Sequence, residues 1–129
     1  MRLSDHFSVS EFECRCGCGY GAGPGDVDAR LLDKIEALRA MCGGRPIIVN
    51  SGCRCISHDL RIGNTQTASG SRGRPSFHVL GKAADISGPP WPLLKAAALS
   101  IFHSHGVGLP ASEGWLHVDT GPMRRWRYD

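Results

Sequence analysis

Apolar residues recur at three- and four-residue steps between positions 27 and 41, at Val27, Leu31, Leu32, Ile35, Leu38 and Met41. That spacing places them on one stripe of an α-helix over 27–41, with Asp26 as its cap and Gly43 and Gly44 as its stop. The pattern changes over 46–51, where Ile47, Ile48 and Val49 follow a proline and precede a polar turn. A short β-branched run between breakers predicts a buried strand. Residues 83–87 predict a second strand, closed by Gly88, Pro89 and Pro90. An alanine- and leucine-rich run follows, and Pro92 suits the first position of a second long helix through Phe102. Residues 106–108 start another strand or turn, and 115–119 form the last strand. Near the start, Ser8 and Glu11 have the spacing of a capping box and predict a helical turn through Phe12. Residues 17–25 make a glycine-rich loop. Residues 56–75 are polar without a sustained period, and a loop of that length in a compact domain is usually functional or mobile.

Two helices among short strands predict an α+β fold, with the helices packed on one face of a small antiparallel sheet. With 129 residues, the chain suffices for one core and not two, so residues 1–129 read as a single domain. Hydrophobic residues at 41% and charged residues at 21% exclude a disordered chain and match an ordinary globular one. No apolar run approaches the ~20 residues of a membrane span, so membrane insertion is not expected. The net charge of +3 is mild; it suits an anionic partner such as a wall polymer without demanding one. Residues 1–7 show neither an apolar stretch nor a small-residue cleavage site. Synthesis in the cytoplasm without a signal peptide is therefore expected, with action at the cell wall or periplasm only after release by another route. A monomer is expected.

The chemistry concentrates in two stretches. His78 and Asp85 stand seven apart around Gly81, and His117 follows in the last strand. Two imidazoles and a carboxylate are ligand types that a catalytic zinc takes, leaving a position open for water. The seven-residue spacing makes His78 and Asp85 straddle a turn, with Asp85 on the following strand. Side chains alternate along a strand, so His117, Asp119 and Trp115 share one face while Leu116 and Val118 face the core. Arg54, in a turn at the end of the first strand, suits bidentate contact with a carboxylate. Of the other histidines, His6 and His58 read as ordinary surface residues, and His103 and His105 as partners of a helix end.

Six cysteines are many for this length. Cys14, Cys16 and Cys18 alternate, Cys42 stands alone, and Cys53 and Cys55 form a second alternating pair. Metal thiolates or reduced thiols suit the expected compartment better than disulfides. A second, structural zinc is a candidate reading, with Cys14, Cys16 or Cys18 joined by Cys42, Cys53 or Cys55.

The run Ser76-x-His78-x-x-Gly81-x-Ala83-x-Asp85 resembles the signature of the zinc D-Ala-D-Ala carboxypeptidase family, peptidase family M15, which shares its fold with the Hedgehog signalling domain. Ser51-Gly52-x-Arg54 is similar to that family's Ser-Gly-Tyr-Arg segment, with Cys53 in place of tyrosine. The ending from Trp115 through Trp126 resembles that of its short bacterial and phage-type branch, as do Glu11-Phe12-x-Cys14-x-Cys16 and the helix over 27–41. The resemblance therefore covers nearly the whole chain. It implies a zinc ion held by His78, Asp85 and His117, with Arg54, Ser76 and Trp115 toward the substrate. It also implies an acidic general base three positions before the last histidine, where this chain has Gly114. Glu113 and Asp119 are the two candidates for that role.

The activity so implied is hydrolysis of amide bonds in peptidoglycan stem peptides by metal-activated water, in a D,D-carboxypeptidase or endopeptidase, such as a phage or prophage endolysin. The bond stays open between a terminal D-Ala-D-Ala, a D-Ala cross-link and L-Ala-D-Glu. A non-catalytic zinc module that binds the wall or a protein is the alternative, favoured by Gly114. Nucleic-acid binding would rest on Arg61, Arg72, Arg74, Arg124, Arg125 and Arg127 with Trp126 and Tyr128; these match no recognised module and are not expected to bind nucleic acid.

Overall fold

The computed structural model describes residues 1–55, 57, 76–110 and 113–127. Its elements run α1 (Val9–Phe12), α2 (Ala29–Met41), β1 (Ile48–Ser51), β2 (Ala83–Ser87), α3 (Trp91–Ile101), β3 (Gly106–Leu109), β4 (Leu116–Asp119) and β5 (Arg124–Arg127). The polar segment 56–75 lies outside the described residues except for position 57, as do Arg61, Arg72, Arg74, His58 and Tyr128.

The capping box forms as expected, with the Ser8 N–H donating to the Glu11 carboxylate at 2.7 Å. Helix α2 begins two residues later than its apolar pattern suggests. Asp28, not Asp26, caps it by accepting from the Arg30 N–H at 3.2 Å. Asp26 instead accepts from the N–H groups of Gly21 and Gly23 and closes the glycine-rich loop. Leu31, Leu32, Ile35 and Leu38 form the buried stripe, while Met41 at the last helical position is 48% exposed. The helix stops at Gly43 and Gly44, where the Gly44 N–H bonds back to the Arg39 carbonyl at 3.0 Å. Helix α3 starts at Trp91, one residue before Pro92, with Pro90 as its N-cap.

The sheet has five strands in the order β1-β2-β4-β3-β5. Strands β1, β2, β4 and β3 pair antiparallel, but β5 runs parallel to β3, so the sheet is mixed rather than antiparallel throughout. Both edges of β4 are already taken, by β2 and β3. The chain leaving β4 therefore reverses and docks on the free edge of β3, which makes it parallel there. Strand β5 was not expected, because Arg-Arg-Trp-Arg carries no apolar alternation. Strand β1 is an edge strand, and the buried strand foreseen over 46–51 is only half so: Ile47 and Val49 are buried, and Ile48 is 55% exposed.

One face of the sheet is apolar. Val49, Ala84, Ile86, Val107, Leu116 and Val118 join Leu31, Ile35 and Leu38 of α2, and Leu94, Ala97, Ala98 and Phe102 of the α3 region, in one core. Burying each of the larger aliphatic side chains contributes about 1.5–3 kcal/mol. The opposite face carries the polar residues that alternate with these.

Gly81 joins the two halves of the chain. It has φ +71°, its carbonyl accepts from the Asp28 N–H at 2.8 Å, and a Cβ built on it would run into the Asp26 carbonyl oxygen. Gly81→Ala should combine about 1–2 kcal/mol of left-handed strain with about 1–3 kcal/mol of overpacking. Urea unfolding should show a lower midpoint at unchanged slope; an unchanged midpoint would show that the contact relaxes freely.

Candidate metal centre

His78 sits in a run of turns over 76–82 that delivers the chain to β2. Its Nδ1 lies 2.7 Å from the Gly52 carbonyl oxygen, an acceptor only, so Nδ1 carries the proton and Nε2 presents its lone pair. Nε2 lies 3.3 Å from Asp85 Oδ1. Asp85, on β2, is in register with His117 on the neighbouring β4, which brings Asp85 Oδ1 to 3.1 Å from His117 Nδ1. The three residues each offer one donor atom within 4.8 Å of the others. The turn before β2 and the strand alternation expected from sequence thus bring His78, Asp85 and His117 together.

Asp119 holds the far side of His117. Its Oδ2 lies 2.7 Å from His117 Nε2 and 2.6 Å from the Arg124 guanidinium, and its Oδ1 accepts from the Gly121 N–H at 2.9 Å. It is fully buried. His117 Nε2 therefore carries its proton toward Asp119, and Nδ1 is the nitrogen left toward Asp85. Both imidazoles have one nitrogen pinned outside the cluster and one aimed into it, the arrangement that orients metal-ligating histidines. Two nitrogens and a carboxylate oxygen also match zinc's preferred donors.

The electrostatics set the two imidazoles apart. Burial, helped by the nearby Arg54 guanidinium, lowers the His78 pKa and outweighs the pull of Asp85. The buried ring stays neutral with its lone pair available. Burial would also lower His117, but its bonds to Asp119 and Asp85 win and raise its pKa. Burial pushes the Asp85 carboxyl up, yet His78 and His117 hold it well below the usual carboxylate range. Asp119 is likewise kept ionised against burial by His117 and Arg124.

Arg54 is buried, and its main-chain N–H donates to the His78 carbonyl at 3.1 Å. Ser76 is buried, and its hydroxyl has no hydrogen-bond partner among the described residues. Trp115 precedes β4 and is 38% exposed. Glu113 is exposed in the turn that leads into β4, beside Gly114.

Trp126 on β5 is a neighbour that sequence reasoning missed. Its ring lies 5.1 Å from that of His117, and it reaches there because Gly108 between them has no side chain. A Cβ on Gly108 would meet the indole at 2.5–2.8 Å. The signal in the sequence was Gly108 itself, at the end of the short 106–108 stretch read as the start of a strand or turn.

Two of the C-terminal arginines, Arg124 and Arg125, have internal partners. Arg124 binds Asp119 and lies over the rings of Phe77 and Trp126, and Arg125 donates to the carbonyls of His105, Phe102 and His103 beyond α3. His103 Nδ1 meets the Ser100 carbonyl at that helix end, His105 meets Gly121, and His6 pairs with Glu36.

A second cluster gathers the sulfurs of Cys14, Cys16, Cys18 and Cys55, all within 4.8 Å of one another. Cys42 and Cys53 are buried in the core instead. Burial opposes the Cys14 thiolate, but hydrogen bonds from Cys16 and Cys55 draw its pKa down to about 7, and the bond to Cys14 in turn helps push Cys16 up to about 12.

Comparison with known proteins follows the same lines. The family model described as Peptidase M15 matches residues 5–119. The peptidoglycan L,D-endopeptidase MepK of Escherichia coli (strain K12) is 34% identical over 105 residues, which cover 78% of this chain and 54% of the relative. The protein of that name from Shigella flexneri matches to the same extent. The probable peptidoglycan L,D-endopeptidase MepK of Haemophilus influenzae is 43% identical over 61 residues, 44% of this chain and 32% of the relative. The chain thus spans about half the length, or less, of the curated relatives it matches.

Proposed function

The chain belongs to the peptidase M15 family, and on that premise we propose that it is a zinc-dependent endopeptidase of peptidoglycan stem peptides. The observation that carries this reading is the convergence of His78 Nε2, Asp85 Oδ1 and His117 Nδ1, with the outer nitrogen of each ring pinned by Gly52 or Asp119. Those three residues would hold the ion. Bound there, zinc supplies Lewis-acid polarisation of a peptide carbonyl and a lowered pKa for water. The name of the Escherichia coli relative favours an internal bond between an L- and a D-configured residue over release of a terminal D-Ala.

The chain's own residues supply the rest. Arg54, buried beside His78, binds a substrate carboxylate or carbonyl through its planar fork. Ser76 offers a buried hydroxyl without a partner among the described residues, and Trp115 an exposed ring against which a stem peptide can lie. Of the two candidate bases, Asp119 has both oxygens engaged and sits behind His117, on the side away from the donor cluster. We therefore give Asp119 a positioning role and proton transfer to Glu113, which takes the proton of the attacking water and returns it to the leaving amine.

Asp119→Ala should weaken zinc affinity by about 10–100-fold, read by chelator competition. Asp119→Asn keeps an acceptor for His117 Nε2 and should lose less; equal affinity in all three proteins would remove the positioning role. The proposal as a whole is tested by mass spectrometry of peptidoglycan fragments after incubation with the protein, with and without a chelator. Zinc-dependent appearance of a defined cleavage product is expected. Intact stem peptides after treatment with zinc-loaded protein would overturn it and favour the wall-binding module, to which exposed Gly114 already points.

A further inference from the structure

Four thiols meet away from the histidine and aspartate cluster. Cys14, Cys16 and Cys18 come from the loop after α1, and Cys55 from just beyond β1, more than thirty residues later. The sulfur of Cys14 lies 3.4 Å from that of Cys16 and 3.9 Å from that of Cys55, and Cys16 to Cys55 is 3.6 Å. A tetrahedral zinc with Zn–S of about 2.3 Å keeps its thiolates about 3.8 Å apart. A disulfide would bring two sulfurs to about 2.05 Å, and all six cysteines are free. The Cys55 N–H also points at the Cys14 sulfur, at 3.4 Å, an orientation that favours a thiolate there. Four soft donors clustered this tightly suit a single ion.

We propose that Cys14, Cys16, Cys18 and Cys55 form a closed, structural zinc site that clamps the N-terminal loop onto the end of β1. With four protein ligands the site has no open position, which separates it in kind from the His78, Asp85 and His117 centre. Its place in the fold gives it work. The run 52–55 supplies the Gly52 carbonyl that accepts from His78 Nδ1, and the Arg54 N–H that donates to the His78 carbonyl. Cys53 in the same run donates its N–H to the Phe12 carbonyl at the end of α1. A zinc ion on Cys55 therefore anchors the segment that orients His78, and it joins residues 14–18 to that segment without a disulfide. The spacing Cys-x-Cys-x-Cys is unlike the usual Cys-x-x-Cys knuckle; the fourth ligand is supplied by the fold.

The test uses the full chain, purified with a thiol-free reductant, and measures zinc content together with zinc X-ray absorption. Two zinc ions per chain are expected, with a sulfur shell at about 2.3 Å alongside a nitrogen and oxygen shell at about 2.0 Å. His78→Ala should halve the zinc content and leave a spectrum dominated by sulfur. Cys55→Ser should halve it too, lose most of the sulfur shell and lower the unfolding midpoint. The wild-type and His78→Ala spectra decide the matter even where Cys55→Ser does not fold. Absence of a sulfur shell, iron in place of zinc, or a disulfide among these four residues in the reduced protein would overturn the site. None of these readouts depends on peptidase activity, so loss of the proposed function would leave the inference standing.

Discussion

Replacing His117 with alanine is expected to lower stem-peptide hydrolysis by about 10³-fold or more, since metal-ion catalysis is worth several kcal/mol and each ~1.4 kcal/mol is tenfold. The zinc of the His78, Asp85 and His117 centre should be lost with it. The fold should survive, because Leu116 and Val118, on the other face of β4, keep the contacts that hold the strand to the core. Asp119 keeps partners of its own, Arg124 at 2.6 Å and the Gly121 N–H at 2.9 Å, so removing the imidazole does not orphan its buried charge. Circular dichroism and thermal unfolding would check the fold, and metal analysis the site. Full hydrolysis by His117→Ala, or an unchanged affinity for the ion, would sink the proposed centre.

Glu113→Gln carries the second large effect. General acid–base catalysis contributes about 10²–10⁴-fold, so kcat should drop by that factor while zinc content and unfolding temperature stay as in the wild type. Glutamine preserves the size of the side chain and removes only its capacity to take a proton. Glu113 is exposed in a turn, where the substitution disturbs no packing. Undiminished kcat in Glu113→Gln would return the base role to another carboxylate. Comparison with Asp119→Asn separates the two residues: Asp119 acts through His117 and should change metal affinity, whereas Glu113 should not.

The candidate trio of His78, Asp85 and His117 was legible in the chain because its parts lie on simple local structure. His78 and Asp85 bracket a turn marked by Gly81, and the alternation of Trp115-Leu116-His117-Val118-Asp119 separates core from polar face without knowledge of any partner strand. The helix stripe from Leu31 to Leu38 follows from the 3.6-residue period alone. The choice between Asp26 and Asp28 as helix cap was not legible, since both precede the same apolar run. Tertiary contacts decide it: Gly21 and Gly23 claim Asp26, and the N–H of Asp28 reaches Gly81.

Strand β5 was hidden for a similar reason. Arg124 and Trp126 face Asp119 and His117, and Arg125 turns to the end of α3, so its residues answer to neighbours remote in sequence and not to a period of their own. The parallel docking on β3 follows from the occupied edges of β4, which no local pattern records. The cysteines divide in the same way. Cys14, Cys16 and Cys18 announce soft donors by their spacing, but Cys42, Cys53 and Cys55 were equal candidates as their partner. Burial takes Cys42 and Cys53 into the core, and Cys55 alone among them meets the other three sulfurs.

By itself, then, the sequence determined the residue types that can bind a metal, the turn and strand that carry them, and the helices that form the apolar layer, because each depends on interactions a few residues long. The tertiary structure decided which imidazole nitrogen faces inward, which carboxylate is held behind His117, and which cysteine completes the sulfur cluster. Those outcomes depend on the register between β2 and β4 and on the path of the chain beyond β1 and β4, where the deciding hydrogen bonds join residues tens of positions apart.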